Sequence, residues 1–228
     1  MTFVSIADLR QAARGRLPRM VFDYIDGGAD DEVTLRRNAE RFRERELTWS
    51  VLADVASIDT ATTVLGQRIE APIILAPTAS SRLFNPRAGE CAVARAAHAH
   101  GLIYSVSTLA STSIEQIAAE TPGPKLFQIY VWKDRGLVRE ILQRAKAAGY
   151  AGVVLTVDTP VAGNRERDPR NQFSIPPKVN LHTASQTLAR PGYLWDVATT
   201  APIRAANFSQ WAASAALSTS STTSSIAV

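Results

Sequence analysis

Short apolar runs alternate with helix-like segments in the middle of the chain. The four runs, each continuous enough to form a strand, are residues 72–77, 102–107, 126–131 and 152–158. The helix-like segments between them are residues 87–100, 113–119 and 135–148, and Gly101 ends the first of these. Continuous apolar runs are typical of strands buried on both faces. The alternation predicts an α/β fold with a parallel sheet and right-handed crossovers, which could be an open doubly wound sheet or a barrel.

A helical preface is predicted ahead of this sheet, with helices over residues 6–14, 18–25 and 31–44. Ser5, followed by Asp8 three residues later, resembles a capping box that opens the first helix. Pro18 suits the first turn of the second helix, and Gly27-Gly28 suit a left-handed stop after it. The third helix is highly charged.

Regular alternation is lost after the fourth apolar run. Residues 161–207 are rich in Arg, Asn, Pro and Thr, and we expect them to form a long irregular excursion. Residues 209–228 consist mainly of Ser, Thr and Ala and carry no charge. Such a low-complexity segment lacks the apolar surface needed for packing, so we expect a disordered tail there and a folded domain over residues 1–208.

Composition and charge remove several classes of protein. The chain has 228 residues and a formal charge of +4, and no block of like charge stands alone, so no nucleic-acid-binding arm is indicated. A single cysteine, Cys91, excludes an internal disulfide and fits a reducing compartment. Three histidines and one cysteine leave little for a metal site. We see no signal peptide and no apolar run of about 18 residues, so we expect a cytoplasmic protein.

Each predicted strand of the sheet ends in polar side chains. They are Thr78, Ser107, Gln128, Tyr130 and Thr156. The carboxyl ends of parallel strands form the ligand site of α/β folds, so these residues suit neutral hydrogen bonds to a planar, heteroatom-rich ligand. None is a strong acid or base. The alternative is that they only mark the exits of strands into loops.

Charged side chains for the ligand site have to come from another part of the sequence. There is no dinucleotide-binding glycine motif, no phosphate-binding P-loop and no nucleophile elbow. Arg165, Arg167 and Arg170 lie just beyond the fourth strand. An arginine over a strand end can clamp a carboxylate with two hydrogen bonds, although these arginines could also form a solvated charged loop.

Five motifs occur together in a recognisable order and spacing. They are residues 17–32, Ala76-Pro77-Thr78-Ala79, Ser105-Val106-Ser107-Thr108, Phe127-Gln128-Ile129-Tyr130, and Leu155-Thr156-Val157-Asp158-Thr159-Pro160 followed by Arg165-Glu166. With these motifs, residues 3–180 resemble the FMN-dependent L-2-hydroxy acid dehydrogenases and oxidases. That family includes glycolate oxidase and the lactate and mandelate dehydrogenases.

The resemblance implies a TIM (β/α)8 barrel with FMN at the carboxyl ends of its strands. It places the backbone of Pro77, Thr78 and Ala79 against the flavin ring, and it assigns hydrogen bonds to the ring's polar edge to Ser107, Gln128 and Thr156. It assigns the substrate carboxylate to Tyr24 and Arg165. It assigns the substrate hydroxyl to Tyr130, which is therefore the candidate catalytic residue. For Tyr24 a packing role on its helix stays open.

Several parts of the family pattern lie beyond the matched region. They are a lysine on the fifth strand, a histidine that takes the hydroxyl proton, a second substrate arginine and the phosphate site. No lysine follows Lys178 and no histidine follows His182. We therefore expect a barrel interrupted after about four strands, which would leave an open sheet edge and an uncovered inner face.

The resemblance implies FMN-dependent oxidation of a lactate- or mandelate-like 2-hydroxy acid to the 2-oxo acid. A truncated, inactive remnant is the alternative, and a nucleic-acid-binding module has only the sequence pI of about 9.5 in its favour. The electron acceptor stays open. Members are often homo-oligomers, and some relatives touch a membrane through the segment after Arg165, so peripheral attachment to the inner face of the membrane also stays open.

Overall fold

A computed structural model describes residues 2–158, 161, 163–174 and 180–208. The chain divides into two compact units. The helical unit comprises Met1–Ile58 and Val161–Ala201, and the sheet unit comprises Asp59–Pro160 and Pro202–Val228.

The described residues contain short strands and nine α-helices of 4 to 13 residues. The strands are β1 (Thr62–Val64), β2 (Gln67–Ile69), β3 (Ile74–Leu75), β4 (Ile103–Val106), β5 (Lys125–Ile129) and β6 (Gly152–Leu155). The helices are α1 (Ile6–Arg16), α2 (Arg19–Asp26), α3 (Val33–Arg43), α4 (Gly89–Ala99), α5 (Ile114–Glu120), α6 (Arg135–Ala147), α7 (Arg167–Arg170), α8 (Leu181–Leu188) and α9 (Pro191–Ala198).

The sheet unit is built on four parallel strands in the order β3-β4-β5-β6. The helices α4, α5 and α6 lie between successive strands in the chain. The predicted α/β fold with a parallel sheet is therefore confirmed. Because all four strands run in the same direction, their carboxyl ends all lie at the same end of the sheet.

The two central strands are buried on both faces, as their continuous apolar runs predict. On one face Tyr104 and Phe127 pack with Ile117 and Ile141 from the helices into the main core. On the other face Ile103 and Leu126 pack with Ile69 of β2. Neither face can therefore carry the alternating polar residues that mark a half-exposed strand.

The two outer strands differ from this prediction. Ile74 of β3 is 40% exposed, and Val153 and Leu155 of β6 are 53% and 52% exposed. Among the described residues each of these strands has one neighbouring strand instead of two. The expectation that all four runs are buried on both faces is wrong here, because an apolar run does not reveal whether its strand lies at an edge.

An antiparallel hairpin, β1-β2, precedes the sheet and was not predicted. Its two turn residues, Leu65 and Gly66, both have left-handed backbone angles, with φ of 50° and 75°. This pattern is the two-residue turn whose twist matches a hairpin. Leucine at the first position hides the signal, since Asn or Asp is usual there.

In the helical unit, α1 begins with the predicted capping box. The Ser5 hydroxyl accepts a hydrogen bond from the Asp8 backbone N–H at 3.2 Å. The predicted left-handed stop after α2 is wrong, because Gly27 has an extended backbone with φ of −86°. A Cβ at Gly27 would lie 2.7 Å from the Asp23 carbonyl oxygen and 2.9 Å from Cδ of Arg167. Glycine is therefore needed here for close approach to its neighbours.

The expected irregular excursion over residues 161–207 is wrong for much of its described part, which contains α7, α8 and α9. Asn180 caps α8 by accepting a hydrogen bond from the Thr183 N–H at 2.9 Å, and Pro191 opens α9. Both are ordinary helix-start signals that the irregular composition obscured. The expected tail, residues 209–228, lies outside the described residues and stays a prediction.

Two glycines that follow helices allow a matched comparison: a side chain at either would strain the backbone, but only one position also lacks room for a Cβ. Gly101 and Gly149 have φ of +61° and +78°. A Cβ at Gly101 would lie 2.4 Å from Cγ of Glu70, whereas one at Gly149 meets nothing within 4 Å. We expect Gly149→Ala to lower the free energy of unfolding by about 1 kcal/mol through left-handed strain alone. Gly101→Ala should cost clearly more, and equal losses in denaturant unfolding would contradict this account.

Candidate active site

A chain of neutral hydrogen bonds, buried at Ser107 and Gln128 and half-buried at Thr156, joins three of the predicted cofactor residues at the carboxyl ends of β4, β5 and β6. The side-chain amide of Gln128, which is 4% exposed, donates to Oγ1 of Thr156 at 2.7 Å. Its Oε1 accepts from the Thr108 N–H at 3.1 Å and from the Ser107 hydroxyl at 3.4 Å. The structure therefore brings Ser107, Gln128 and Thr156 together on one face.

The geometry leaves hydrogen-bond donors for a ligand. The Thr108 N–H fixes the amide orientation of Gln128, so one amide N–H points to Thr156 and the other has no partner within the described part of the chain. The Thr156 hydroxyl accepts from Gln128, and its own proton is likewise unused by any described residue. Two neutral donors beside each other suit the carbonyl and nitrogen acceptors of a flavin's polar edge.

The segment Pro77-Thr78-Ala79 follows β3 and lies at the same carboxyl end of the sheet. Its continuation is tied to the loop after β4, because the Ser80 N–H donates to the Leu109 carbonyl at 3.1 Å. The Thr78 side chain is exposed, and its Oγ1 lies 3.5 Å from Oγ of Ser81. Thr78 therefore lies at the same end of the sheet as Ser107, Gln128 and Thr156 but is not part of their hydrogen-bonded chain.

Tyr130 is half-buried directly after β5. Its ring centroid is 6.4 Å from that of Trp132, which in turn packs edge-on against Phe208 at 4.8 Å. Sequence reasoning missed Trp132 and Phe208 as neighbours of Tyr130. Only the aromatic character of Trp132, two residues after Tyr130, could have pointed to this contact.

In the helical unit the structure brings Tyr24 and Arg165 together. The Arg165 guanidinium carbon lies 5.0 Å from the Tyr24 ring centroid, and Nη2 donates to the Tyr24 carbonyl. Nε of Arg165 donates to Oδ2 of Asp168 at 2.9 Å. The Arg165 side chain is half-buried among these contacts. Sequence reasoning did not recognise Asp168 as the partner that orients this guanidinium, although it is three residues away.

Nη1 of Arg165 carries no hydrogen bond to any described residue, so the guanidinium keeps donor capacity for an anion. Oδ1 of Asp168 is buried without a hydrogen-bond partner in the described chain. The Tyr24 ring also packs against Phe173, with centroids 4.7 Å apart. The arrangement is a fixed arginine beside an aromatic ring, which suits a carboxylate attached to a small organic group.

Arg167 holds α2, the start of α3 and α7 together near this pair. Its guanidinium donates to Asp26 at 3.1 Å and to Glu32 at 2.6 Å. The hydrogen bond from Arg167 holds the pKa of Glu32 below its usual value. The pKa of Asp26 is also lowered, first by Arg10 and then by Arg167. Sequence reasoning grouped Arg167 with a possible clamp and missed this positioning role.

Other reactive groups in the described residues offer no competing chemistry. Cys91 is half-buried, and burial, with Glu120 adding to it, raises the pKa of its thiol to about 11. A thiol with such a high pKa is a poor nucleophile at neutral pH. No group of three or more His, Cys, Asp or Glu side chains in the described chain could hold a metal ion.

Comparison with known proteins places this parallel α/β fold and its polar strand ends in a class of flavoenzymes. Residues 13–227 match the family "FMN-dependent dehydrogenase". The chain belongs to this family.

A Mycobacterium tuberculosis protein named "Putative L-lactate dehydrogenase" is 42% identical over 209 residues, which cover 91% of this chain and 50% of that protein. Glycolate oxidase 5 of Oryza sativa subsp. japonica is 44% identical over 177 residues, covering 78% of this chain and 48% of the oxidase. The chain thus spans about half the length of these curated relatives.

A solved structure with a similar fold is described as monotopic membrane protein (S)-mandelate dehydrogenase. It superposes with a TM-score of 0.85 at 32% identity, covering 96% of this chain and 60% of the dehydrogenase.

The Arg167 contacts predict a stability loss that depends on pH. We expect Arg167→Ala to lower the free energy of unfolding by about 1 kcal/mol at pH 7, since it removes charged hydrogen bonds to a partly exposed cluster. Arg170→Ala, on the same helix with a largely exposed side chain, is the matched control and should change little.

The pH dependence follows from the lowered carboxyl pKa values of Asp26 and Glu32. Their stabilisation is complete above the ordinary values of 3.8 and 4.5 and is lost as pH falls through the lower folded values. The difference between Arg167→Ala and the unaltered chain should therefore shrink in acid. A loss that is independent of pH in denaturant unfolding would contradict this assignment.

Proposed function

We propose that this chain contributes the flavin-binding strands and the substrate-carboxylate residues for FMN-dependent oxidation of a small L-2-hydroxy acid to the 2-oxo acid. The observation that carries the proposal is the hydrogen-bonded Ser107–Gln128–Thr156 chain, with two neutral donors that no described residue uses. When bound, FMN supplies the two-electron acceptor, while the protein binds and orients the substrate.

Each site residue has a role under this proposal. The backbone of Pro77, Thr78 and Ala79 lies against the flavin ring, while the donors of the Ser107–Gln128–Thr156 chain bind its polar edge. Arg165 binds the substrate carboxylate with the donors of Nη1, and Tyr24 contributes its phenol. Asp168 keeps Arg165 oriented through the 2.9 Å hydrogen bond to Nε.

Tyr130 is the candidate catalytic residue because it contacts the substrate hydroxyl. A phenol at this position orients that hydroxyl by a hydrogen bond. Its packing against Trp132 limits where the phenol can lie. The role is therefore to fix the hydroxyl for oxidation.

The four strands form the first half of a (β/α)8 barrel under the same proposal. Two observations support this: the exposed apolar residues Ile74, Val153 and Leu155 lie on the two edge strands, and the relatives are about twice as long as the matched region. The alternative is an inactive member of the family that binds flavin weakly or not at all.

A lactate- or mandelate-like substrate is favoured by two of the similar proteins. The Mycobacterium tuberculosis relative carries a lactate dehydrogenase name, and the solved structure is a mandelate dehydrogenase. Both substrates are 2-hydroxy acids with a small or aromatic substituent, which is compatible with a carboxylate site built from Arg165 and Tyr24.

Flavin titration tests the proposal. In Gln128→Glu the side chain keeps its size and its acceptor for the Thr108 N–H but loses the amide donor. We expect FMN to bind about 10- to 100-fold more weakly, because one hydrogen bond to the flavin is replaced by a carboxylate that cannot donate. Gln143→Glu on the exposed surface of α6 is the control and should bind FMN as the unaltered chain does.

Dye reduction driven by lactate or mandelate completes this experiment. Turnover above that of free FMN supports the oxidation, and flavin binding without turnover is the result expected of the inactive alternative. If the unaltered chain does not bind FMN, or if Gln128→Glu binds it equally well, the proposal is overturned.

We also propose peripheral attachment of this protein to the cytoplasmic face of a membrane through α8 and α9. Leu181, Leu188 and Trp195 on these helices are 94%, 66% and 66% exposed. Exposed apolar side chains on neighbouring helices are typical of interfacial attachment. In the described chain no helix has the length and apolar character needed to cross a bilayer. The similar solved structure is described as a monotopic membrane protein.

Two exposed tryptophans provide a matched test of attachment. Trp195 lies on α9, whereas Trp49 lies outside α8 and α9 and is 82% exposed. We expect Trp195→Ser to weaken sedimentation with phosphatidylglycerol vesicles about tenfold, because the insertion of an indole side chain is lost. Trp49→Ser should leave vesicle binding unchanged. Equal effects of the two substitutions, or no binding by the unaltered chain, would contradict attachment through α8 and α9.

A further inference from the structure

A carboxylate with no exposed surface lies beside the flavin-contact loops. Glu90, in the first turn of α4, is 0% exposed. It accepts hydrogen bonds from four neutral donor groups: the Ser81 N–H at 2.9 Å, the Ser111 N–H at 2.8 Å, the Ser111 hydroxyl at 2.9 Å and the Thr112 hydroxyl at 2.8 Å. Burial of a charged group is costly unless hydrogen bonds of this kind replace its water.

The four donors belong to two separate loops. Ser81 closely follows Pro77-Thr78-Ala79 after β3, while Ser111 and Thr112 closely follow Ser107 after β4. Oε1 of Glu90 accepts from both loops, from the Ser81 N–H and from the Ser111 N–H. One side chain therefore fixes the distance between the two segments that carry flavin-contact residues.

Other hydrogen bonds also link the two loops, among them one from the Ser80 hydroxyl to the Leu109 carbonyl at 3.4 Å. The Ser80 N–H donates to the Leu109 carbonyl at 3.1 Å, and the Arg82 N–H donates to the Ser111 hydroxyl at 3.0 Å. These bonds flank the Glu90 carboxylate. Without that carboxylate the buried N–H groups of Ser81 and Ser111 would lose their acceptor, which favours separation of the loops.

We propose that Glu90 is a positioning residue that holds the loop over residues 77–81 and the loop over residues 107–112 at the spacing needed for FMN. The inference rests on the proposed function, because it treats these loops as flavin-contact segments. Glu90 acts through the loops and does not contact FMN. Oε1 of Glu90 takes the backbone N–H groups of both loops, which can only donate, while Oε2 faces the Ser111 and Thr112 hydroxyls.

Glu90→Gln tests this role with little change of shape. The substitution removes the negative charge of the shared acceptor, so the hydrogen bonds from both loops become weaker, and the Ser111 and Thr112 hydroxyls have to turn to accept from the new amide. We expect FMN to bind about 10- to 100-fold more weakly, and we expect the visible spectrum of bound flavin to change. Glu120→Gln on α5, whose carboxylate pairs with Arg95, is the matched control and should leave flavin binding unchanged.

Thr112→Val provides a second variant if Glu90→Gln does not fold. It keeps the side-chain shape and removes only the hydroxyl that donates to Oε2 of Glu90. We expect weaker FMN binding by up to about tenfold. Raising the protein concentration should not restore FMN binding in either variant, because the substitution changes contacts within each chain.

Amide hydrogen exchange separates this inference from the proposed function. In the flavin-free chain the Ser81 and Ser111 amides should be protected, and Glu90→Gln or Thr112→Val should release them while Glu120→Gln does not. Unchanged protection in both variants overturns the role of Glu90, whether or not FMN binds. Released amides together with unchanged FMN affinity also overturn it. Failure of the unaltered chain to bind FMN, with released amides in the variants, overturns the proposed function and leaves Glu90 as the residue that holds the loops.

Discussion

Parallel pairing of four strands in fixed register is the constraint on which the placement of Ser107, Gln128 and Thr156 depends. Ser105 pairs with Leu126, and Gln128 pairs with Val154. Because side chains alternate between faces, Ser107, Gln128 and Thr156 continue these pairs on one face at the same end of the sheet. A shift of one residue in any strand would turn its polar side chain toward the apolar core beneath the helices.

The loops at that end are held by buried polar contacts that reach far along the chain. Glu90 joins the loops after β3 and β4, and the side chain of Asn207 donates to the Thr108 carbonyl at 3.2 Å while accepting from the Ile114 N–H at 3.1 Å. Each contact satisfies backbone groups that would otherwise be buried without partners. The backbone of these loops is therefore fixed by neighbours that are not among the proposed flavin-contact residues.

The helical unit follows the same principle with charged groups. Arg165 is oriented by Asp168 and stacked beside Tyr24, while Arg167 connects Asp26 with Glu32. A carboxylate-binding arginine has to keep an unused donor, and that is possible only when other groups hold the rest of its guanidinium in place. The acidic residues around α2 and α7 supply that support.

The sequence by itself determined the parallel α/β sheet, the order of its strands and helices, and the capping box at Ser5, because periodicity and capping are local properties. Its motifs, through family resemblance, also supplied the site residues from Tyr24 to Arg165. Only the tertiary structure decided that Gly27 is extended, that β3 and β6 lie at edges, and that Glu90, Arg167 and Asn207 support the site. Their contacts join residues that are distant in sequence, such as Asn207 and Thr108, which are 99 positions apart. No local pattern encodes such a contact, since it depends on how the whole chain packs.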